Sequence, residues 1–267
     1  MNDENKGFSK YLIIFVDILG SQGRTDFSEL YHINKIFHGE FESNQKNNLE
    51  HTVYFRKIYT FSDCAYIVYG FKEGIEDERK NLGELFRVAL CNCEPIFLRF
   101  LKERIVFRGG ISYGYAYIDL NRSMFFGEAI NKAYQLESKS ALHPRIVVEP
   151  EVAEKVEESI SQAKYKMLAQ NPEYVYLVGR HLMVTMPETG EGIIERDEDG
   201  QYIFNYLHFP ENNIICSDMY SSGTTYLEEL LNFCYEQINI NTDYKVIDKY
   251  YYLVRYVKKK LAILNGT

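Results

Sequence analysis

Tyr11-Leu-Ile-Ile-Phe-Val-Asp17-Ile-Leu-Gly20 is an apolar run broken by one carboxylate and closed by a glycine. Six consecutive apolar or aromatic residues with neighbouring turn signals read as a strand buried on both faces. A second carboxylate, Asp63, separates two β-rich runs in Tyr59-Thr-Phe-Ser-Asp63-Cys-Ala-Tyr-Ile-Val68. An ionised carboxylate beside buried apolar residues is costly unless it is paired or holds a cation. Two of them, the first followed by a glycine-containing turn, suit two divalent ions bound together with phosphate oxygens. Taken alone, Asp17 is equally well placed to cap the helix that follows.

Beyond the first strand, Thr25 is placed to cap a helix on which Phe27, Leu30, Phe37 and Phe41 recur at near-helical spacing. The polar stretch at 43–48 reads as a loop. Val53–Tyr59 and Ala65–Phe71 form a hairpin around Thr60-Phe-Ser-Asp63. A helix follows through Leu82, Leu85, Phe86, Leu90, Phe97 and Leu101, with Pro95 kinking it or marking its last turns. Ile105–Ile118 returns to strand, Gly127 opens a helix through Leu136, and Arg145–Val148 is a short buried strand. The order is β-α-β-β-α-β, which predicts an α+β fold with a ferredoxin-like antiparallel sheet and helices on one face. Beyond Pro150 the pattern predicts a helix at 151–168, a strand near 174–186 and a hairpin turn at Glu198-Asp-Gly200. Leu227, Leu230, Leu231, Cys234 and Ile238 make one helical stripe. Ile247, Tyr250, Val254, Val257, Leu261 and Leu264 make a second, heptad-like one. These predict a C-terminal helical extension over 211–267, packed on a domain of residues 1–210 or on a second copy.

The 267 residues are 46% hydrophobic and 25% charged, enough apolar material for a real core. The formal net charge of −8 argues against a nucleic-acid partner, which needs a basic stripe. The compact basic run Lys258-Lys-Lys260 falls on a predicted helix and reads as a solvated face. No apolar run approaches the length of a membrane span, and the polar N-terminus is unlike a signal peptide, so the expected location is cytoplasmic. Cys64, Cys91, Cys93, Cys216 and Cys234 are odd in number and lack C-x-x-C spacing, so free thiols are expected.

Four motifs stand in one order on this predicted fold: Phe15-Val-Asp17-Ile-Leu-Gly20, Thr60-Phe-Ser-Asp63, Arg108-Gly-Gly-Ile-Ser-Tyr-Gly114 and Gly127-Glu-Ala-Ile-Asn131-Lys-Ala-Tyr-Gln135-Leu-Glu137. Together they resemble the catalytic domain of class III nucleotidyl cyclases over about residues 8–210. The resemblance implies attack of a ribose 3′-oxygen on the α-phosphorus of a nucleoside triphosphate, with loss of pyrophosphate. It implies that Asp17, Asp63 and the Ile18 carbonyl hold two divalent ions, Mn2+ or Mg2+. Backbone amides of Leu19, Gly20, Ser21 and Gln22 would cradle the phosphates. Arg108 brings a permanently charged fork suited to phosphate or to a base carbonyl, although it also fits a surface arginine at a strand entry. Asn131 would hold the ribose. Gln135 falls where the family carries an arginine, one turn along the same face. The departure leaves a missing charge, for which Arg122, Lys132 and Lys139 are the nearest candidates.

Purine cyclases of this family read their base partly from a residue four positions before the second aspartate, here Tyr59, and from a position that here is Met124. Tyr59 offers a stacking face and one hydroxyl, and its bulk favours a smaller base, unless it is merely a cross-strand aromatic. The pattern resembles the pyrimidine cyclases of Pycsar anti-phage systems, which implies cyclic UMP from UTP, or cyclic CMP from CTP, read by a separate effector protein. The family resemblance also implies a homodimer with shared active sites. Asp17, Asp63 and Arg108 of one copy would face Tyr59, Asn131 and Gln135 of the other. A purine cyclase and a non-catalytic nucleotide-sensing dimer stay as alternatives. A palm-type polymerase or diguanylate cyclase shares the carboxylate pair but lacks support from charge or from a G-G-D-E-F hairpin.

Overall fold

The computed structural model describes residues 7–20, 23–38, 52–119, 122, 124–170, 192–208 and 222–266. The elements are β1 (Ser9–Ile18), α1 (Phe27–His38), β2 (Tyr54–Phe61), β3 (Cys64–Phe71), α2 (Leu82–Lys102), β4 (Phe107–Asp119), β5 (Met124–Phe126) and α3 (Glu128–Gln135). After a π-helical turn (Leu136–Ser140) come β6 (Ile146–Val148), α4 (Pro150–Gln170), β7 (Ile194–Arg196), β8 (Tyr202–Phe204), α5 (Gly223–Ile240) and α6 (Tyr244–Leu264). The strand expected at 174–186, the loop at 43–48, Cys216 and the proposed boundary at 210 lie outside the described residues.

The sheet runs β2-β3-β1-β4-β6-β8-β7, with β5 paired on β4. Its first four strands are mutually antiparallel in the ferredoxin-like arrangement, and the β4–β6 pair alone is parallel. β1 is central, as its unbroken apolar run requires. Leu12, Ile14, Val16 and Ile18 face a core shared with α1, α2, α4, α5 and α6. Ile13 and Phe15 face the other side, where α3 packs through Ala129, Ile130 and Ala133.

That second face corrects the expectation of helices on one side only. α3 crosses the sheet at backbone contact. A Cβ at Gly110 of β4 would collide with the Ala133 carbonyl. At the start of α3, Gly127 has φ 138°, and a Cβ there would lie 2.6 Å from the Tyr115 carbonyl oxygen. Both positions therefore require glycine. Other local details also differ. Asp26, not Thr25, caps α1, its carboxylate accepting from the Glu29 amide at 3.0 Å. α2 continues for two turns past Pro95. Helix α3 gives way to the π turn after Gln135.

The C-terminal pair closes over the main core. The Tyr226 hydroxyl donates to the Leu98 carbonyl at 2.9 Å, and the Tyr256 hydroxyl to Asn205 Oδ1 at 2.7 Å. Lys260 overturns the reading of Lys258–Lys260 as a solvated face. It is 2% exposed and pairs with Glu195, which also takes Lys259 at 2.8 Å. A buried ammonium is tolerable here because that carboxylate accompanies it.

Candidate active site

Asp17 and Asp63 meet at one end of the sheet because β1 ends where the β2–β3 hairpin turns. Register sets Asp17 opposite Cys64 on one side and opposite Arg108 on the other. The hairpin loop is Ser62-Asp63, with Ser62 in the left-handed region at φ 56°. The Ile18 amide donates to the Asp63 carbonyl at 3.1 Å, which locks the turn against the end of β1. Two short-range features, a strand end and a tight turn, thus bring together carboxylates forty-six positions apart in the chain.

Arg108 occupies the space beside them. Its Nε and Nη2 each lie 3.4 Å from Asp17 Oδ2, and Nε lies 2.6 Å from Glu137 Oε1. Burial raises the Asp17 carboxyl above its ordinary range; Arg108 opposes this and the Asp63 charge reinforces it. Glu137 is pushed up to about 7 by burial, again against Arg108 and with Asp17. The Cys64 thiol is pushed up to about 11 by burial, then by Asp63, Asp17 and Glu137. Burial is the largest cause of each shift, and the carboxylates gathered around one guanidinium add to it.

That condition fits a divalent cation. Among the described residues no group of three His, Cys, Asp or Glu side chains forms a closed metal cage. Two hard carboxylates are instead part of the oxygen donor set that Mg2+ and Mn2+ accept. Ile18 is 1% exposed with its side chain in the core, so the side chain takes no part in the site.

The phosphate cradle needs correcting. The Leu19 amide is spent on the Val106 carbonyl at 2.8 Å and is not free for an anion. Gly20 is open, with φ 76° and nothing near its Cα face. Ser21 and Gln22 lie outside the described residues.

Asn131 and Gln135 sit elsewhere. Both are exposed on the outer face of α3, one turn apart, and among the described residues neither hydrogen-bonds to Asp17, Asp63 or Arg108. Tyr59 lies on the α3 side of the sheet, stacked on Phe125 at 5.2 Å and 26°. Its hydroxyl is buried with no hydrogen-bond partner, and burial pushes its pKa up to about 12. One copy therefore unites Asp17, Asp63 and Arg108 and leaves Tyr59, Asn131 and Gln135 apart from them. Among the candidates for the missing charge, Lys132 is committed to Glu149. Arg122 is 3.8 Å from Asp119, at the far end of β4.

Sequence reasoning gave no role to two residues that the fold delivers here. Glu137 stood in the last motif, two positions beyond Gln135; four residues past the buried Ala133, it lies on the inward stripe while Gln135 remains outside. Lys249, on α6, feels the charges of Arg108 and Asp17. No local pattern marks it.

No protein-family model and no curated protein matches the chain. Among solved structures it is similar to the monomeric guanylyl cyclase domain of the RhoGC fusion protein from the aquatic fungus Blastocladiella emersonii. That match has 15% identity and a TM-score of 0.40, over 57% of this chain and 86% of that one. It is also similar to the catalytic core of a rhodopsin-guanylyl cyclase with converted specificity, in complex with ATPαS. There the identity is 15% and the TM-score 0.39, over 56% of this chain and 82% of that one. At such overlap the site is read from its own residues.

Proposed function

We propose that the protein is a nucleotidyl cyclase that converts a pyrimidine nucleoside triphosphate, UTP before CTP, to its 3′,5′-cyclic monophosphate and pyrophosphate. The observation that carries this reading is the meeting of Asp17 and Asp63 beside Arg108 at one sheet end. Asp17 and Asp63 would hold Mn2+ or Mg2+, with the Ile18 carbonyl as a further oxygen. When bound, such ions acidify the ribose 3′-hydroxyl and neutralise charge on the departing pyrophosphate. Arg108 exchanges its contacts to Asp17 and Glu137 for phosphate oxygens or a base carbonyl, a fork geometry that suits either.

Shared sites in a homodimer account for the separation of the remaining residues. Asn131 and Gln135 on the exposed face of α3 would serve the carboxylates of a second copy. The apolar surface around them, Phe61 at 76% exposed, Phe126 at 50% and Tyr134 at 51%, is of the kind such contacts bury. Tyr59 supports the pyrimidine reading by its bulk and by a phenol that still lacks a hydrogen-bond partner. Arg108 favours the carbonyl-rich edge of uracil over the amine of cytosine. By the same resemblance, the product would act through a separate effector protein in anti-phage defence, with residues 1–210 as the catalytic unit.

The test is incubation of the purified chain with each of the four nucleoside triphosphates and Mn2+, with products resolved by chromatography and mass. Cyclic UMP as the main product is expected, then cyclic CMP. Faster turnover of ATP or GTP would overturn the pyrimidine assignment. Binding without any turnover would leave the nucleotide-sensing alternative in its place.

A further inference from the structure

Arg145 stands immediately before β6, beside Arg108 in the sheet. Its carbonyl accepts from the Gly109 amide at 3.0 Å, so the two arginines are neighbours through the backbone at one sheet end. The Arg145 side chain is 6% exposed and divides its guanidinium among three acceptors. Nη2 donates to the Ser140 carbonyl at 2.7 Å and to Asp199 at 2.6 Å, and Nη1 donates to Asp197. Ser140 ends the π turn, so its carbonyl is one of those that a helix end leaves without an intrahelical partner.

The same turn carries Glu137, whose Oε1 lies 2.6 Å from Arg108 Nε. Its backbone rests directly on β4, since a Cβ at Gly110 would come within 2.9 Å of the Glu137 nitrogen. An unbroken path of contacts therefore runs from Arg145 through Ser140 and the π turn to Glu137 and Arg108. The C-terminal extension holds the other end of that path. The Tyr252 hydroxyl of α6 donates at 2.8 Å to Asp197, the carboxylate that also takes Arg145. The Tyr252 ring stacks on His143 at 5.0 Å and 9°, and Asp248 Oδ2 lies 3.0 Å from His143 Nε2. His143 and Arg145 both belong to the link between the π turn and β6, so α6 grips that link at two points. Steadying the β7–β8 hairpin would need Asp197 and Asp199 alone. The bond to Ser140 extends the clamp to the turn beside Arg108, and a planar fork can span these acceptors where a point charge cannot.

We propose that Arg145 is a positioning residue of the active site. It fixes the π turn, and with it the place where Glu137 holds Arg108, and the C-terminal helix takes part through Tyr252 and Asp197. The proposal rests on the cyclase reading for what Arg108 binds, and on these contacts alone for where Arg108 sits.

The test labels arginine with nitrogen-15 in the full-length protein and follows each Nε–H signal by NMR. The Arg108 signal, assigned by its loss in Arg108→Lys, should be protected from exchange by the Glu137 contact. Arg145→Lys keeps a cation beside Asp197 but loses the fork. Exchange of the Arg108 proton should then quicken about tenfold, and KM for the preferred nucleotide should rise about tenfold with kcat within a few-fold. Tyr252→Phe should act in the same direction by about threefold, and it decides alone if Arg145→Lys does not fold. Tyr256→Phe is the control, because it removes a bond of the same kind from α6, to Asn205, off this path. It should lower the thermal midpoint comparably and leave the Arg108 signal and KM in place. Unchanged Arg108 exchange in the folded variants, an equal change in Tyr256→Phe, or a loosened Arg108 with unchanged KM overturns the proposal. A loosened Arg108 in a protein that turns over no nucleotide would sustain the role of Arg145 and defeat the cyclase reading instead.

Discussion

Glu137→Gln should stabilise the metal-free protein at pH 8 and do little at pH 5. The Glu137 side chain is 3% exposed, and burial drives its carboxyl from 4.5 to about 7. The 2.6 Å contact with Arg108 favours the charged form, but burial and the Asp17 charge outweigh it. The sign follows from proton linkage. Between pH 4.5 and 7 the folded chain holds this proton more tightly than the unfolded chain does. Stability from this group is therefore greatest at low pH and falls as pH rises through 7. A shift of that size is worth about 3 kcal/mol at full ionisation. Glutamine keeps the shape and carries no charge to bury, so about 1–3 kcal/mol of that penalty should be recovered at pH 8. Urea denaturation of both proteins in EDTA at pH 5, 6.5 and 8 measures the difference. Destabilisation by Glu137→Gln at pH 8, or a difference that stays constant across the three pH values, would refute the reasoning.

Gly110→Ala places a methyl group against the Ala133 carbonyl and should cost about 3 kcal/mol, read as an earlier urea midpoint with loss of activity. Shared sites predict rescue in trans. Tyr59→Ala and Asp63→Ala should each be inactive alone, whereas a mixture reassorted into dimers should regain about a quarter of wild-type turnover. Half of the dimers would then be mixed, each with one intact site of two. Absence of rescue in verified mixed dimers would remove the shared-site arrangement.

What the sequence made legible was whatever depends on neighbours along the chain. The apolar run at 11–16 identified a strand covered on both faces, and the alternation of Leu12, Ile14 and Val16 with Ile13 and Phe15 between two cores is the reason. Ser62-Asp63 between two β-rich runs identified the hairpin that presents Asp63. The side of the sheet taken by α3 was not legible in helical periodicity. It follows from a backbone approach that only Gly110 and Gly127 permit, and glycines do not say which surface comes near them. Lys260 was legible as buried too, against its reading as part of a solvated face. It lies four residues from Tyr256 and seven from Leu253, on the buried stripe, so its place in the repeat outweighs its membership of a lysine triplet.

Lys249 shows where local reading ends, whereas Glu137 was within its reach. Glu137 lies four residues past Ala133 and seven past Ile130, on the buried stripe of α3, and Arg108 is shared there between two carboxylates. Lys249 lies off the apolar seam of α6 and more than two hundred positions from Asp17. Its placement depends on Asp248 and Tyr252 gripping His143. The balance of charge at the sheet end is therefore set by tertiary contacts. Asp17, Asp63 and Glu137 supply negative charge, and Arg108 and Lys249 supply positive charge that acts on Asp17. Divalent ions would satisfy the first group and a polyphosphate the second. For the proposed cyclase, the charges of the site would be complete only with metal and nucleotide both bound.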